Sequence, residues 1–302
     1  MATLGTAGTG DKRAARVGAA LRGLLGATLV GGTLVGTILL GAGELRAESE
    51  STANRRKLYA ACMTEARTEP ARARERAIAW DTVGGGLPAR HCLATALIGL
   101  KRHAEAAAMM ETLAREAYGV DLDLGAEVMS QAGQAWALAG EPARALAAQN
   151  EALRRDPDDI ELLIDRSISL AALEQFWEAI DDLNRVLERT PERADALLLR
   201  ATAYRHLEVF DMAREDLDRT LAADPGNVDA LLELGNLMRD GGDREGARRT
   251  WLLGLAHAPE GSQMQTALQG ALQTMDLDPA KPARSTRRTE RRRDQPQTGV
   301  VR

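Results

Sequence analysis

The stretch ELLIDRSISLAALEQFWEAIDDLNRVLERTP, Glu161 to Pro191, reads as two amphipathic helices, a turn and a stop. ELLIDRSISLAAL carries apolar residues at helical spacing, EQF makes the turn, and WEAIDDLNRVLERT continues to Pro191. Proline ends the second helix because it lacks an N–H and disfavours helical geometry in the residue before it. The unit recurs: Pro157, Pro191, Pro225 and Pro259 keep a step of 34 residues, as do Ala145, Ala179, Ala213 and Ala247, and Leu153, Leu187, Leu221 and Leu255. A period of this size that fixes small, large and proline positions together marks a helical solenoid, whose hairpins bury their apolar faces on one another. Small residues pair off where the two helices of a unit would cross: Gly133 with Ala145, Ser167 with Ala179, Ala201 with Ala213, and Gly235 with Ala247. A larger side chain there would push the helices apart.

Gly133, Trp136, Ala145, Ala152 and Pro157 in one unit, and Ala201, Tyr204, Phe210, Ala213, Leu217 and Pro225 in another, follow one pattern of small, aromatic, alanine and proline positions. The last unit repeats it with Gly235, Gly242, Ala247, Trp251 and Pro259. The pattern resembles the tetratricopeptide repeat family, here of an exported bacterial type. The resemblance implies an all-α solenoid of helical hairpins wound into a right-handed superhelix, with clear repeats about 126–159, 160–193, 194–227 and 228–261. A divergent unit precedes them, Arg90 to Leu113, with Ala94, Leu97, Ala106 and Met110 in place but a step of 39 from Ala106 to Ala145. Arg166 and Arg200 depart from the family, which keeps that position apolar.

Of the 302 residues 44% are hydrophobic and only 3% aromatic, which suits Ala- and Leu-rich helices packed through small side chains. Four of the 39 basic residues are lysine, an arginine bias that reads as genome composition. Residues 1–43 contribute +3 and 276–302 contribute +4 to a net charge of −5, which leaves −12 on 44–275. So acidic a folded part argues against a nucleic-acid groove.

Met1 to Arg22 carries four basic residues and is followed by GLLGATLVGGTLVGTILLGAG, Gly23 to Gly43, 21 residues without a charge. This is the layout of an export signal, cleaved after Gly43 or Ala47, and it is also long enough for a retained bilayer anchor, so residues 1–43 read as one or the other. In either case the positive residues before it place the repeats outside the cytoplasm, in the periplasm or anchored to the inner membrane. The alternative is a buried helix of a cytosolic domain. Residues 44–54 read as a polar linker, and 55–275 as the solenoid. RRKLYAACMTEA and PARARERAIAWDTV, then ARHCLATALIGL and AEAAAMMETLAREA after the break GGGLP, make its first two layers, with Pro70 at a tolerated first-turn position. SQMQTALQGALQTM, 262–275, sets Met264, Leu268, Leu272 and Met275 on one stripe and reads as a terminal capping helix. Residues 276–302 are rich in Pro and Arg, have no apolar period and are expected to be disordered. The run RRTERRR within them reads as a solubilising tail, or as a contact for lipid headgroups or an acidic partner.

Cys62 and Cys92 are the only cysteines and lie on neighbouring predicted helices. In an exported chain such a pair is expected to be a disulfide, closing a loop of about 30 residues and stabilising by roughly 3–4 kcal/mol in the chain-entropy account. The alternative is two buried free thiols. A metal site is not expected, because His91 and His103 have no ligand spacing with the pair.

The chain contains no GxSxG, HExxH, P-loop or Gly-rich dinucleotide turn, and its four histidines are scattered. Acidic pairs such as Asp181 with Asp182 read as solvated faces or first-turn charges. No enzymatic activity, metal or cofactor is expected. By the resemblance, one face of each first helix lines a concave groove for a protein or peptide partner: Gln134; Ile164 and Ile168; Leu198, Thr202, Arg205 and His206; then Leu232, Asn236 and Arg239. A peptide is expected to bury apolar anchors at Ile164, Ile168, Leu198 and Leu232 while Arg205 and Arg239 hold a carboxylate. The alternative is that the two isoleucines pack within the stack and the arginines solvate the surface. Arg166 with Arg200, and Asp182 with Asp216, keep the same step, and Arg200 is expected to reach Asp182 on the preceding layer. Exposed side chains are the alternative. The chain thus reads as a non-enzymatic protein-interaction scaffold of the bacterial cell envelope. The other readings are a membrane-anchored interaction subunit of an envelope assembly complex, associated through residues 23–43, and a cytosolic nucleic-acid-associated protein using its basic tail.

Overall fold

The structure is a computed structural model that describes residues 41–277, with side chains placed over 53–275. The apolar run as far as residue 40 and the tail from 278 lie outside the described residues. Two compact units divide at Ala223. The first holds α1 (Gly41–Thr68), α2 (Pro70–Thr82), α3 (Gly86–Gly99), α4 (His103–Tyr118), α5 (Leu122–Leu138), α6 (Pro142–Leu153), α7 (Ile160–Ala172), α8 (Phe176–Arg189), α9 (Ala194–His206) and α10 (Phe210–Ala223). The second holds α11 (Val228–Asp240), α12 (Arg244–His257) and α13 (Gln263–Leu277). Both units are all-α over the described residues and are built of tetratricopeptide-type helical hairpins, α3–α4, α5–α6, α7–α8 and α9–α10 in the first and α11–α12 in the second.

Residues 44–54, expected as a linker, belong instead to α1. From Glu44 to Thr68 the chain has neither proline nor glycine, and a polar surface by itself does not stop a helix built from Glu, Ala, Arg and Leu.

Each hairpin turns through one residue in the left-handed region: Lys101, Gly140, Glu174, Glu208 and Gly242, with φ of 59°, 75°, 60°, 58° and 93°. The next residue's N–H then bonds the carbonyl five residues back, Arg102 to Leu97, Gln175 to Leu170 and Val209 to Tyr204 at 2.9 Å, Glu141 to Trp136 at 3.0 Å, and Asp243 to Met238 at 2.8 Å. This closure satisfies carbonyls that the helix end would leave open. The five turn positions keep the 34-residue step except for 39 between Lys101 and Gly140. The divergent α3–α4 is therefore a repeat of the same build, and its extra residues lengthen α4 and α5 to 16 and 17 residues.

Within the first unit the crossings are tight. Ala145, Ala179, Ala201 and Ala213 are at most 1% exposed, and a Cβ on Gly133 would stand 2.9 Å from Gln149 Cγ. Ser167 is buried too, its hydroxyl donating to the Ile164 carbonyl at 2.7 Å. Gln149 itself is fully buried with neither amide atom hydrogen-bonded, one and two steps before Leu183 and Leu217 in α8 and α10. In the second unit Ala247, Trp251, Leu268 and Met275 form the core, so α13 covers α12 with the stripe its sequence shows. A Cβ on Gly235 would overlap the Trp251 indole.

The arginines that break the family pattern form a repeated clasp. Arg166 on α7 donates two bonds to Asp182 on α8, at 2.7 and 2.6 Å, and a third to Asn150 Oδ1 on α6 at 2.8 Å. Arg200 on α9 does the same with Asp216 on α10, at 2.8 and 2.7 Å, and with Asn184 on α8 at 2.7 Å. The expected Arg200–Asp182 pair is thus corrected: the carboxylate comes from the arginine's own hairpin, because sixteen residues bring the chain back beside its start, and the preceding layer supplies a neutral amide. The Asp216 bonds hold the Arg200 guanidinium above its ordinary pKa.

Asp216 is only 3% exposed and Arg200 14%, so Arg200→Ala strands a buried carboxylate and is expected to cost about 3 kcal/mol. Arg219, 3.8 Å away, is too distant to replace the two bonds. Arg214→Ala, which removes the exposed pair with Asp218, is expected to cost under about 0.5 kcal/mol. Denaturant melts of the two variants check this; equal costs would mean that the clasp contributes no more than a surface pair.

Candidate partner-binding face and N-terminal cap

The first helices of the hairpins carry the residues expected to meet a partner. In the first unit Gln134 on α5 is half-buried and donates its amide to Asp165 Oδ2 on α7 at 2.8 Å. Ile168 is half-buried and rests on the core. Thr202 on α9 is half-buried with its hydroxyl donated to the Leu198 carbonyl at 2.9 Å. Arg205 is half-buried beside the exposed His206, whose ring stacks on Phe176 with centroids 4.7 Å apart.

Two of the apolar anchors are corrected. Ile164 is 4% exposed and Leu198 8%. Each directly follows a core leucine, Leu163 or Leu197, and the apolar stripe of its helix is wide enough to bury both positions. Apart from Ile168, what remains of this face is polar. Glu161 and Asp195 converge on Arg193, which binds the first at 2.6 and 3.0 Å and the second at 2.8 and 3.0 Å. These bonds raise the Arg193 pKa. Asp165, 9% exposed, was not singled out in the sequence, though Gln131, Asp165 and Glu233 lie at multiples of the repeat step.

In the second unit Leu232 packs on the core and its carbonyl accepts from Trp251 Nε1 at 3.1 Å. Asn236 donates to Glu233 Oε2 at 3.2 Å. Arg239 binds Asp240 at 3.0 Å and lies 5.8 Å from the Trp251 ring centre, so it is engaged within its own unit. Burial raises the Asp229 carboxyl pKa. The two faces offer amides, a hydroxyl, carboxylates and guanidinium groups, all suited to hydrogen-bonding a polypeptide. Among the described residues no group of three or more His, Cys, Asp or Glu is placed to hold a metal ion.

Cys62 on α1 and Cys92 on α3 are joined as a disulfide with Cα atoms 6.0 Å apart, both fully buried. Beside it, Tyr59 Oη lies 2.8 Å from His91 Nδ1, and His91 Nε2 lies 2.8 Å from Gln131 Oε1. A carboxamide oxygen only accepts, so Nε2 carries the proton and Nδ1 accepts from the tyrosine. The chain ties α1, α3 and α5 together. With His91 2% exposed, burial lowers its pKa and keeps it neutral. The sequence offered no signal for this role, because the partners come from helices 32 and 40 residues away. Among the described residues no helix is long and apolar enough to cross a membrane.

The sequence pattern of the tetratricopeptide repeat family matches residues 93–160, 164–211 and 208–263, more than half of the chain. Solved structures of similar fold include MamA 41-end from Desulfovibrio magneticus RS-1, at 20% identity and a TM-score of 0.51, covering 58% of this chain and 96% of that one. A tetratricopeptide repeat protein from Parabacteroides merdae ATCC 43184 has 19% identity and a TM-score of 0.51, over 61% and 73% of the two chains. TTC0263, a thermophilic protein of the same repeat type in Thermus thermophilus, has 20% identity and a TM-score of 0.50, over 62% and 100%. At these identities the likeness is one of fold. No curated protein sequence matches the chain.

The buried His91 sets a pH dependence. Its folded pKa lies below the ordinary 6.5, so as pH falls through about 6.5 the unfolded chain takes up a proton that the folded chain refuses, and stability drops. Melting temperatures of the wild type and of His91→Gln, compared between pH 7.5 and 5.5, are expected to show a steeper acid-side fall in the wild type. Identical slopes would contradict a neutral, buried imidazole.

Proposed function

We propose, since the chain belongs to the tetratricopeptide repeat family, that it is a non-enzymatic protein-interaction scaffold of the bacterial cell envelope. A peptide or protein partner lies across the first-helix face of its repeats. The observation that carries this is Gln134, Ile168 and Thr202, which hold one helix position in successive repeats and stand half-exposed over a core completed by other side chains. With Ile164 and Leu198 withdrawn into that core, recognition rests on hydrogen bonds from the amide, the hydroxyl and nearby carboxylates, with Ile168 as the apolar contact of the first unit. The uncharged run after a basic N-terminus and the paired cysteines support an exported location.

A second form of this reading is an anchored interaction subunit of an envelope assembly. It is favoured by α1, which includes Gly41 to Gly43 at the end of the apolar run and continues without interruption into the cap. In either form the partner meets the same face.

A photo-crosslinking residue placed in cells at Ile168 or Thr202 is expected to trap one discrete partner, and Gln134→Ala is expected to weaken that product severalfold. The same residue at Met212, 40% exposed on the second helix α10, is expected to trap none. Equal products at all three positions would overturn the assignment of the face.

A further inference from the structure

Charge is divided along this chain. Residues 55–102, from the middle of α1 to the turn after α3, hold ten basic and four acidic residues, a net +6. Residues 103–275 hold sixteen basic and thirty-two acidic, a net −16. The basic block is at the surface: Arg55, Lys57 and Lys101 are exposed, Arg74 is half-buried, and none of the four has a carboxylate partner among the described residues. Exposed aliphatic side chains accompany them. Leu58, 48% exposed, lies one turn from Arg55 on α1, and Ile78, 40% exposed, lies one turn from Arg74 on α2. A cation beside an exposed aliphatic group suits the boundary between lipid headgroups and acyl chains.

Position in the chain points the same way. The uncharged run Gly23 to Gly43 ends inside α1, and Arg55 follows Gly43 by twelve residues. At 1.5 Å per residue this places it within about 18 Å of the end of that run. The acidic remainder would be repelled by a surface that attracts the basic block.

We propose that the α1–α2 hairpin and the Lys101 turn form a docking surface for an anionic lipid bilayer. This surface is distinct from the partner-binding face, and it rests on the anchored form of the proposed function, in which the uncharged run is retained. The apolar run brings α1 to the membrane, the unpaired cations meet anionic headgroups, and Leu58 and Ile78 enter the boundary layer.

Amine labelling of the full chain tests this, because Lys57 and Lys101 report on the surface directly. The chain is reconstituted on vesicles of phosphatidylcholine alone and of phosphatidylcholine with added phosphatidylglycerol, and labelling rates are read by mass spectrometry. A cation near an anionic bilayer is worth roughly fivefold in partitioning, so labelling of both lysines is expected to fall fivefold or more on the anionic vesicles at low salt. High salt, or Arg55→Glu with Arg74→Glu, is expected to restore it. Equal labelling on the two vesicle types would overturn the proposal. Equal protection by soluble polyglutamate would also overturn it, in favour of an acidic protein partner.

Discussion

The structure depends on how closely the two helices of each hairpin approach. Ala201 and Ala213 are both wholly removed from solvent at one such crossing, and Gly235 leaves no room for a methyl beside Trp251 at another. At this separation an Ala- and Leu-rich chain with few aromatics still fills its interior, because backbone and short side chains supply the dispersion contacts. The crossing requires a fixed turn, and the left-handed residue with its bond to the carbonyl five back provides one. Three of the five left-handed residues are Lys101, Glu174 and Glu208, where an L side chain costs about 1–2 kcal/mol relative to glycine. The packing of the hairpin offsets that local cost.

The layers are joined differently from the hairpins. The small residues act within a repeat, whereas Asn150 and Asn184 bridge to the next repeat by accepting a hydrogen bond from its arginine on a neutral amide oxygen. The paired carboxylate stays in the arginine's own hairpin, so each clasp completes its charge within one repeat and needs only an amide from its neighbour. At the N-terminal end the disulfide and the Tyr59–His91–Gln131 chain take over this joining role.

What was legible in the sequence is what repeats. The proline step located the hairpins, the small residues located the crossings, and the stripe ending at Met275 located the capping helix, because each is a periodic demand of packing. The left-handed turns were missed since lysine and glutamate carry no sign of the conformation they are held in. Arg200 was assigned the wrong carboxylate because a shared step cannot tell a partner in the same repeat from one in the repeat before. Ile164 and Leu198 were placed on the partner face by analogy of position, yet burial is decided by the width of the apolar stripe on their own helices. Gln149, a polar residue with unpaired amide atoms where the next two repeats have leucine and the last has Trp251, has no physical account in the structure.

The central claim is that the helices of a hairpin meet at a distance only a very small residue permits. Melting of Gly235→Ala tests it most directly, because two effects have opposite signs there. Inside a helix alanine is normally more stable than glycine by about 0.5–1 kcal/mol. The added methyl would overlap the fully buried Trp251 ring, and overpacking of this kind costs about 1–3 kcal/mol. A lowered melting temperature is the result this account predicts; a raised one would contradict it.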